Sequence, residues 1–187
     1  LLETISGFTP TGASILSDVE ALSHCSLFWR SFTHWIGGMG VLVFIMAVMP
    51  LSDSSSMHLM RAESPGPAVG KLVPKVKTTA MILYGIYVVF TVIEIIALLI
   101  AGMPLFDSMT LTFGTVGTGG FGLLNSSIAS YSTAVQIIIT VFMIICSINF
   151  TVYYMFLIKR PKEALMCEEM RYYLLIVFGS ALLIAFN

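Results

Sequence analysis

The chain has 187 residues, of which 57% are hydrophobic and only 10% charged, with a formal net charge of −1. Soluble domains carry about 25% charged residues, so this composition excludes an ordinary soluble domain and points to a bilayer. The net charge identifies no partner, and no nucleic-acid binding is expected.

The first element in chain order is a Thr/Gly stretch, Ser6-Gly7-Phe8-Thr9-Pro10-Thr11-Gly12-Ala13-Ser14. An apolar run over 27–50 follows, with Arg30 and His34 in its first two turns. Arg30 and His34 are expected to snorkel outward or to pair with Asp18 or Glu20. The segment 51–77 carries Arg61, Lys71, Lys75 and Lys77. The run 78–101 has one charge, Glu94. An ionisable group in a span must face protein or water, and Glu94 is expected to bond the backbone of a neighbouring loop. The run 133–158 has no charge at all and contains Asn149, expected to bond a neighbouring helix. Residues 159–171 carry Lys159, Arg160, Lys162 and Arg171, and a last apolar run over 172–187 is too short to cross. Runs 27–50, 78–101 and 133–158 each meet the roughly 20-residue length of a spanning helix. Basic residues cluster in 51–77 and 159–171, which places both segments in the cytoplasm by the positive-inside rule. Tyr153, Tyr154, Tyr172 and Tyr173 then fall at the cytoplasmic interface as belt residues. Cys25, Cys146 and Cys167 fall in different compartments, so no disulfide is expected, and they lack metal-site spacing. A start at Leu1 and a final apolar run that stops at Asn187 are read as those of a fragment.

Between the second and third runs lies the most informative stretch. Residues 103–113 are mostly apolar, and a helix of about 10 residues is about 15 Å long, half the hydrocarbon core. Pro104 suits a first helical turn, and Asp107 is expected to cap or solvate the outer end. Glycines at 114, 117, 119, 120 and 122 then interrupt the helix. The spacing predicts a re-entrant hairpin: a half-helix descends and an extended segment over 115–120 climbs back. Irregular backbone at membrane depth requires burial in protein or a water-lined cavity. An offset of 107 residues superposes this stretch on the first Thr/Gly segment, with Gly7 on Gly114, Thr11 on Thr118 and Gly12 on Gly119. Neither stretch carries a charged side chain, so carbonyl oxygens, not a charged ring, are the available ion ligands. The descending half-helix also points its negative end inward, which favours a cation. The competing reading makes these glycines helix-packing positions or part of an outer loop.

These segments resemble the filter loops of the Trk/Ktr/HKT superfamily of potassium and sodium transporters, on its bacterial TrkH/KtrB branch. Trp35-Ile36-Gly37-Gly38-Met39-Gly40 and Arg61-Ala62-Glu63-Ser64-Pro65-Gly66-Pro67 extend the resemblance. It implies an all-α membrane protein built from helix, pore-loop, helix repeats with re-entrant half-helices, similar in architecture to a potassium-channel pore. In that frame 1–50 ends repeat one, 51–77 is a cytoplasmic loop, 78–158 is repeat two, 159–171 is a second cytoplasmic loop and 172–187 opens repeat three. The ion-facing carbonyls would come from Pro10, Thr11 and Gly12 in one loop and Gly117, Thr118 and Gly119 in the other. Thr115-Val116-Gly117-Thr118-Gly119 is also similar to the TVGYG channel filter, two residues out of the repeat register.

The resemblance implies potassium uptake across a bacterial plasma membrane, with potassium as the transported substrate, no cofactor and no enzymatic activity. Sodium permeation is the alternative; in plant-type relatives Ser at the first filter glycine accompanies sodium, whereas Gly12 stands here. A non-conducting structural subunit is another. An intramembrane hydrolase using Ser6, Ser14 and His34 is disfavoured, because no Ser/His pairing is fixed by the sequence. The implied partners are the remaining repeats of the parent chain, a second copy in a homodimer, a cytoplasmic nucleotide-binding regulatory ring, and the lipid bilayer.

Overall fold

A computed structural model describes residues 1–40 and 76–186, and every regular element among them is a helix. They separate into two compact units, Leu1–Cys146 and Ser147–Asn187.

The first unit is assembled around a half-helix. α1 (Leu2–Phe8) packs on α2 (His24–Gly38). α2 and α3 (Val76–Ile100) both pack on α4 (Leu105–Val116), and α5 (Thr133–Cys146) packs on α3 and α4. α3 has 25 residues, about 37 Å at 1.5 Å per residue. Its segment Thr79–Ile100 is the one unbroken described helix long and apolar enough to cross a bilayer. It leaves Val88, Val89, Val92, Ile93 and Ile96 exposed, an apolar outer face suited to lipid or to further helices.

α4 has 12 residues, about 18 Å, and its half-length is set from both ends. Pro104 caps it just outside the first turn, and Gly117 follows its last residue. The helix runs to Val116, three residues beyond the expected 113. Three of its hydroxyls bond back to their own helix: Ser108 donates to the Pro104 carbonyl at 2.9 Å, Thr110 to the Phe106 carbonyl at 2.7 Å and Thr115 to the Leu111 carbonyl at 2.9 Å, whereas the buried Thr112 hydroxyl has no partner among the described residues. Such back-bonding lets hydroxyls lie in a dry interior without a foreign partner. Leu111 joins Leu27, Leu98, Met103, Leu123, Val135 and Ile139 in one core cluster. At the other end, Phe28, Phe32 and Trp35 of α2 lie one turn apart and meet Phe113 of α4, with ring centroids 5.8, 5.8 and 5.7 Å away. Trp35 Nε1 donates to Thr91 Oγ1 at 3.0 Å, and the Tyr87 hydroxyl donates to the Trp35 carbonyl at 2.8 Å, tying α3 to the same layer.

The second unit holds α6 (Phe150–Leu157), α7 (Pro161–Leu165) and α8 (Glu168–Ala185). The expected span 133–158 is therefore not one helix. Asn149 leaves the helical conformation, and its side chain accepts from the Thr151 N–H at 3.0 Å, an N-cap that starts α6 afresh. Asn149 also bonds a neighbouring helix, donating to Glu169 Oε2 at 3.0 Å. Tyr154 is buried in this unit rather than lying at its surface, whereas Tyr172 is exposed. The continuation of 27–50 past residue 40, the Arg61–Pro67 motif and nearly all of the loop 51–77 lie outside the described residues.

Candidate functional site

Each Thr/Gly stretch leaves the C-terminal end of a helix. α1 ends at Phe8 and α4 at Val116. The Thr11 N–H donates to the Ser6 carbonyl at 3.0 Å, wrapping the end of α1. The Gly119 and Gly120 N–H groups both donate to the Gly114 carbonyl at 3.0 Å, wrapping the end of α4. Gly12 has φ +73° and Gly120 has φ +78°, in the left-handed region that glycine adopts cheaply.

These features repeat at an offset of 108: Phe8 with Val116, Thr11 with Gly119, Gly12 with Gly120. The backbone thus repeats one residue later than the sequence offset of 107, which paired Gly12 with Gly119. The reason is local. Gly119 and Gly120 adjoin in the sequence, so residue identity fits either register, and only dihedrals and hydrogen bonds separate them. Gly120 is therefore a candidate the motif comparison passed over. Thr118 has φ +57°, a genuine outlier for a β-branched residue. Such strain costs about 1–3 kcal/mol and persists where surroundings over-determine it.

The two loops converge. A Cβ built on Gly12 would overlap the carbonyl oxygen of Gly119. Gly117 is buried, and a Cβ built on it would lie 2.5 Å from the His34 carbonyl oxygen, while a Cβ on Gly119 would overlap the His34 ring. Gly117 and Gly38 also pack closely, so the glycines of α2 admit the second loop. Pro10 and Gly12 are half-buried, Thr11 and Thr118 exposed, and Gly119 half-buried. All six candidate residues belong to these two loops; the first loop's three and the second loop's three meet at Gly12 and Gly119.

The layer behind the loops is charged, against expectation. Arg30 pairs with Glu3, not with Asp18 or Glu20: Nε lies 2.8 Å from Glu3 Oε2 with the arginine buried. Arg30 Nη1 donates to the Gly122 carbonyl at 3.2 Å. Its guanidinium sits 3.7 Å over the Phe121 ring, and Phe121 stacks on buried His34 at 3.8 Å. Glu3 was missed by sequence reasoning, although a lone carboxylate in a half-helix next to Arg30 in the following span was the available signal.

Asp18 and Glu20 hold the loop around Asn125 instead. Asn125 donates through Nδ2 to Asp18 at 2.9 Å, its Oδ1 accepts from the Val19 N–H at 2.9 Å, and its own N–H donates to Glu20 at 2.9 Å. The bond from Asn125 holds the Asp18 carboxyl below its ordinary value, ahead of the opposing effect of burial. Asp107, in the first turn of α4, accepts from the Tyr131 hydroxyl at 3.1 Å. Glu94 is fully buried and faces Thr115, but among the described residues its carboxyl takes no bond from the loop backbone. The expected tether is absent because the Thr115 hydroxyl is turned to Leu111 and the wrapped N–H groups of the loop are committed to Gly114.

A buried half-helix ending in a glycine loop, beside a second such loop and a membrane-length helix, defines an all-α membrane protein of the pore-loop type. Comparison with known proteins gives the family. The profile of the TrkH family, described as a cation transport protein, matches residues 1–185. The Trk system potassium uptake protein TrkH of Salmonella typhimurium is 38% identical over 163 residues, covering 86% of this chain and 34% of the relative. The Trk system potassium uptake protein TrkG of Escherichia coli is 34% identical over 190 residues, covering 100% of this chain and 39% of the relative. The crystal structure of the potassium transporter TrkH from Vibrio parahaemolyticus superposes with a TM-score of 0.73 at 29% identity, covering 93% of this chain and 35% of that one. The chain belongs to the TrkH family of cation transport proteins, a family of transporters and not of enzymes. It spans about a third of the length of the relatives it matches.

Proposed function

We propose that the full-length protein moves potassium across the cell membrane through a filter lined by backbone carbonyls, to which this chain contributes two of four loops. Pro10, Thr11 and Gly12 line it from one side, and Gly117, Thr118 and Gly119 from the other, with Gly120 setting the turn of the second loop. The observation that carries the reading is the approach of Gly12 to Gly119 at the ends of two half-helices, with no charged side chain in either loop. Carbonyl oxygens can replace the hydration shell of an ion, and the C-terminal ends of the half-helices favour positive charge. The names of the similar Trk uptake proteins support potassium as the cargo. The remaining loops come from the rest of the parent chain, whose length is suggested by the relatives. A homodimer and a cytoplasmic nucleotide-binding ring are the assembly proposed for the parent, the ring meeting the basic segments 51–77 and 159–171. The test is potassium-limited growth of an uptake-deficient strain expressing the full-length parent, with rubidium uptake measured against competing sodium. Rescue with sodium-resistant rubidium uptake is expected. Rescue that sodium competes away would favour the sodium reading, and no transport at normal membrane abundance would favour a structural subunit.

A further inference from the structure

The Glu3–Arg30 pair touches both loops at equivalent places. Glu3 Oε1 accepts from the Ile15 N–H at 2.8 Å, and Glu3 Oε2 accepts from Arg30 Nε at 2.8 Å. Arg30 Nη1 then donates to the Gly122 carbonyl at 3.2 Å. The Ile15 N–H belongs to the peptide joining Ser14 and Ile15, and the Gly122 carbonyl to the peptide joining Gly122 and Leu123. At the backbone offset of 108 these are the same peptide of the repeat. Each lies two residues beyond its positive-φ glycine, Gly12 or Gly120.

We infer that Glu3 and Arg30 form a clasp that fixes the spacing of the two filter loops, and so act as positioning residues for ion selectivity. This rests on the filter reading above. The carboxylate grips one ascending limb by its N–H, the guanidinium grips the other by its C=O, and the ion pair closes the chain between them. Charge-assisted bonds of this kind are shorter and stronger than neutral ones. A guanidinium can serve both partners at once because its donors form a rigid fork. The same guanidinium is held flat on Phe121, whose other neighbour, His34, presses on Gly119. A displacement of Arg30 therefore reaches the second loop by two routes, at Gly122 and at Gly119. Neither clasp side chain belongs to the proposed carbonyl lining, so its effect is exerted through loop position.

The experiment uses the full-length parent, with membrane abundance and rubidium-over-sodium uptake measured together. Arg30→Lys keeps the charge opposite Glu3, but a single ammonium cannot hold both Glu3 and the Gly122 carbonyl. It is expected to reach the membrane normally and to lower the rubidium-over-sodium preference about threefold to tenfold, the change produced when about 0.7–1.4 kcal/mol of the lost contact falls unequally on the two ions. Glu3→Gln keeps an acceptor for Ile15 and removes the charge, so it is expected to act in the same direction, and the double variant to fall short of the product of the two. Should Arg30→Lys fail to accumulate, Glu3→Gln carries the same test. Reduced abundance with an unchanged ratio would mark the pair as a structural ion pair and overturn the clasp. An unchanged ratio in both variants, where Gly12→Ser does alter it, overturns the clasp and leaves the filter standing. An unchanged ratio in Gly12→Ser as well removes the filter reading and the clasp with it.

Discussion

A serine at Gly12 of the full-length parent faces two obstacles. Its Cβ would occupy the place of the Gly119 carbonyl oxygen, and its φ of +73° is unfavourable for any L-residue. The second obstacle costs about 1–2 kcal/mol, and overpacking typically costs about 1–3 kcal/mol. The clash is with backbone of the opposing loop, so the strain is relieved only by moving the backbone of one loop or the other. At Gly119 the backbone is not left-handed and the obstacle is the His34 ring, so packing alone contributes, about 1–3 kcal/mol. At Gly120 a Cβ meets open space and only φ +78° opposes it, about 1–2 kcal/mol. At Gly114 the Phe121 carbonyl oxygen stands 3.1 Å away, close enough to need a shift of a few tenths of an ångström and no more. Each 1.4 kcal/mol or so that falls unequally on two ions changes their discrimination tenfold. The loss of rubidium-over-sodium preference is therefore expected to be largest for Gly12→Ser, intermediate for Gly119→Ser and Gly120→Ser, and smallest for Gly114→Ser. Competition uptake at matched membrane abundance measures the series. Unchanged selectivity in Gly12→Ser and Gly119→Ser, with normal insertion, would refute the placement of the filter, and a largest effect at Gly114 would refute the steric argument.

Thr118→Gly releases the strain at φ +57° and is expected to stabilise the protein by about 1 kcal/mol or more while loosening selectivity; a lower melting temperature would contradict it. Glu94→Gln, nearly isosteric in a fully buried site facing Thr115, is expected to leave ion preference intact and to reduce abundance or maximal rate. A changed pH or ion dependence at normal abundance would instead make Glu94 part of the transport path. Asn125→Ala removes the acceptor of the Val19 N–H and the donor to Asp18, so faster hydrogen exchange at Val19 is expected. Because the Asp18 carboxyl is held below its ordinary value of 3.8, its contribution is full above that pH and is lost as pH falls through the lowered value; protection of Val19 that weakens near neutrality would count against this. Cysteines at 70 and 162 are expected to label only from the cytoplasm and one at 130 only from outside, and labelling of 70 and 130 from one side would remove the topology.

Composition and run length were enough to establish a membrane protein, because burial in lipid constrains every residue of a span at once. The half-helix at Leu105–Val116 and its glycine loop were equally legible, since length, Pro104 and the glycines are local signals. Local signals did not show every break. The uncharged run over 133–158 reads as one continuous helix, yet Asn149 restarts the helix with its own side chain. The pairing of Gly12 with Gly120 rather than Gly119 depends on dihedrals that two adjacent glycines leave open. The partner of Arg30 was decided only by the tertiary fold. Asp18 and Glu20 are nearer in sequence, but Glu3, 27 residues away, and Gly122, 92 residues away, are brought to it by the packing of α1 on α2 and of α2 on α4. Hydropathy and periodicity report what a segment faces. Which buried charge meets which carbonyl is fixed by contacts across the chain, where an ion pair must find all its partners in one place to remain out of water.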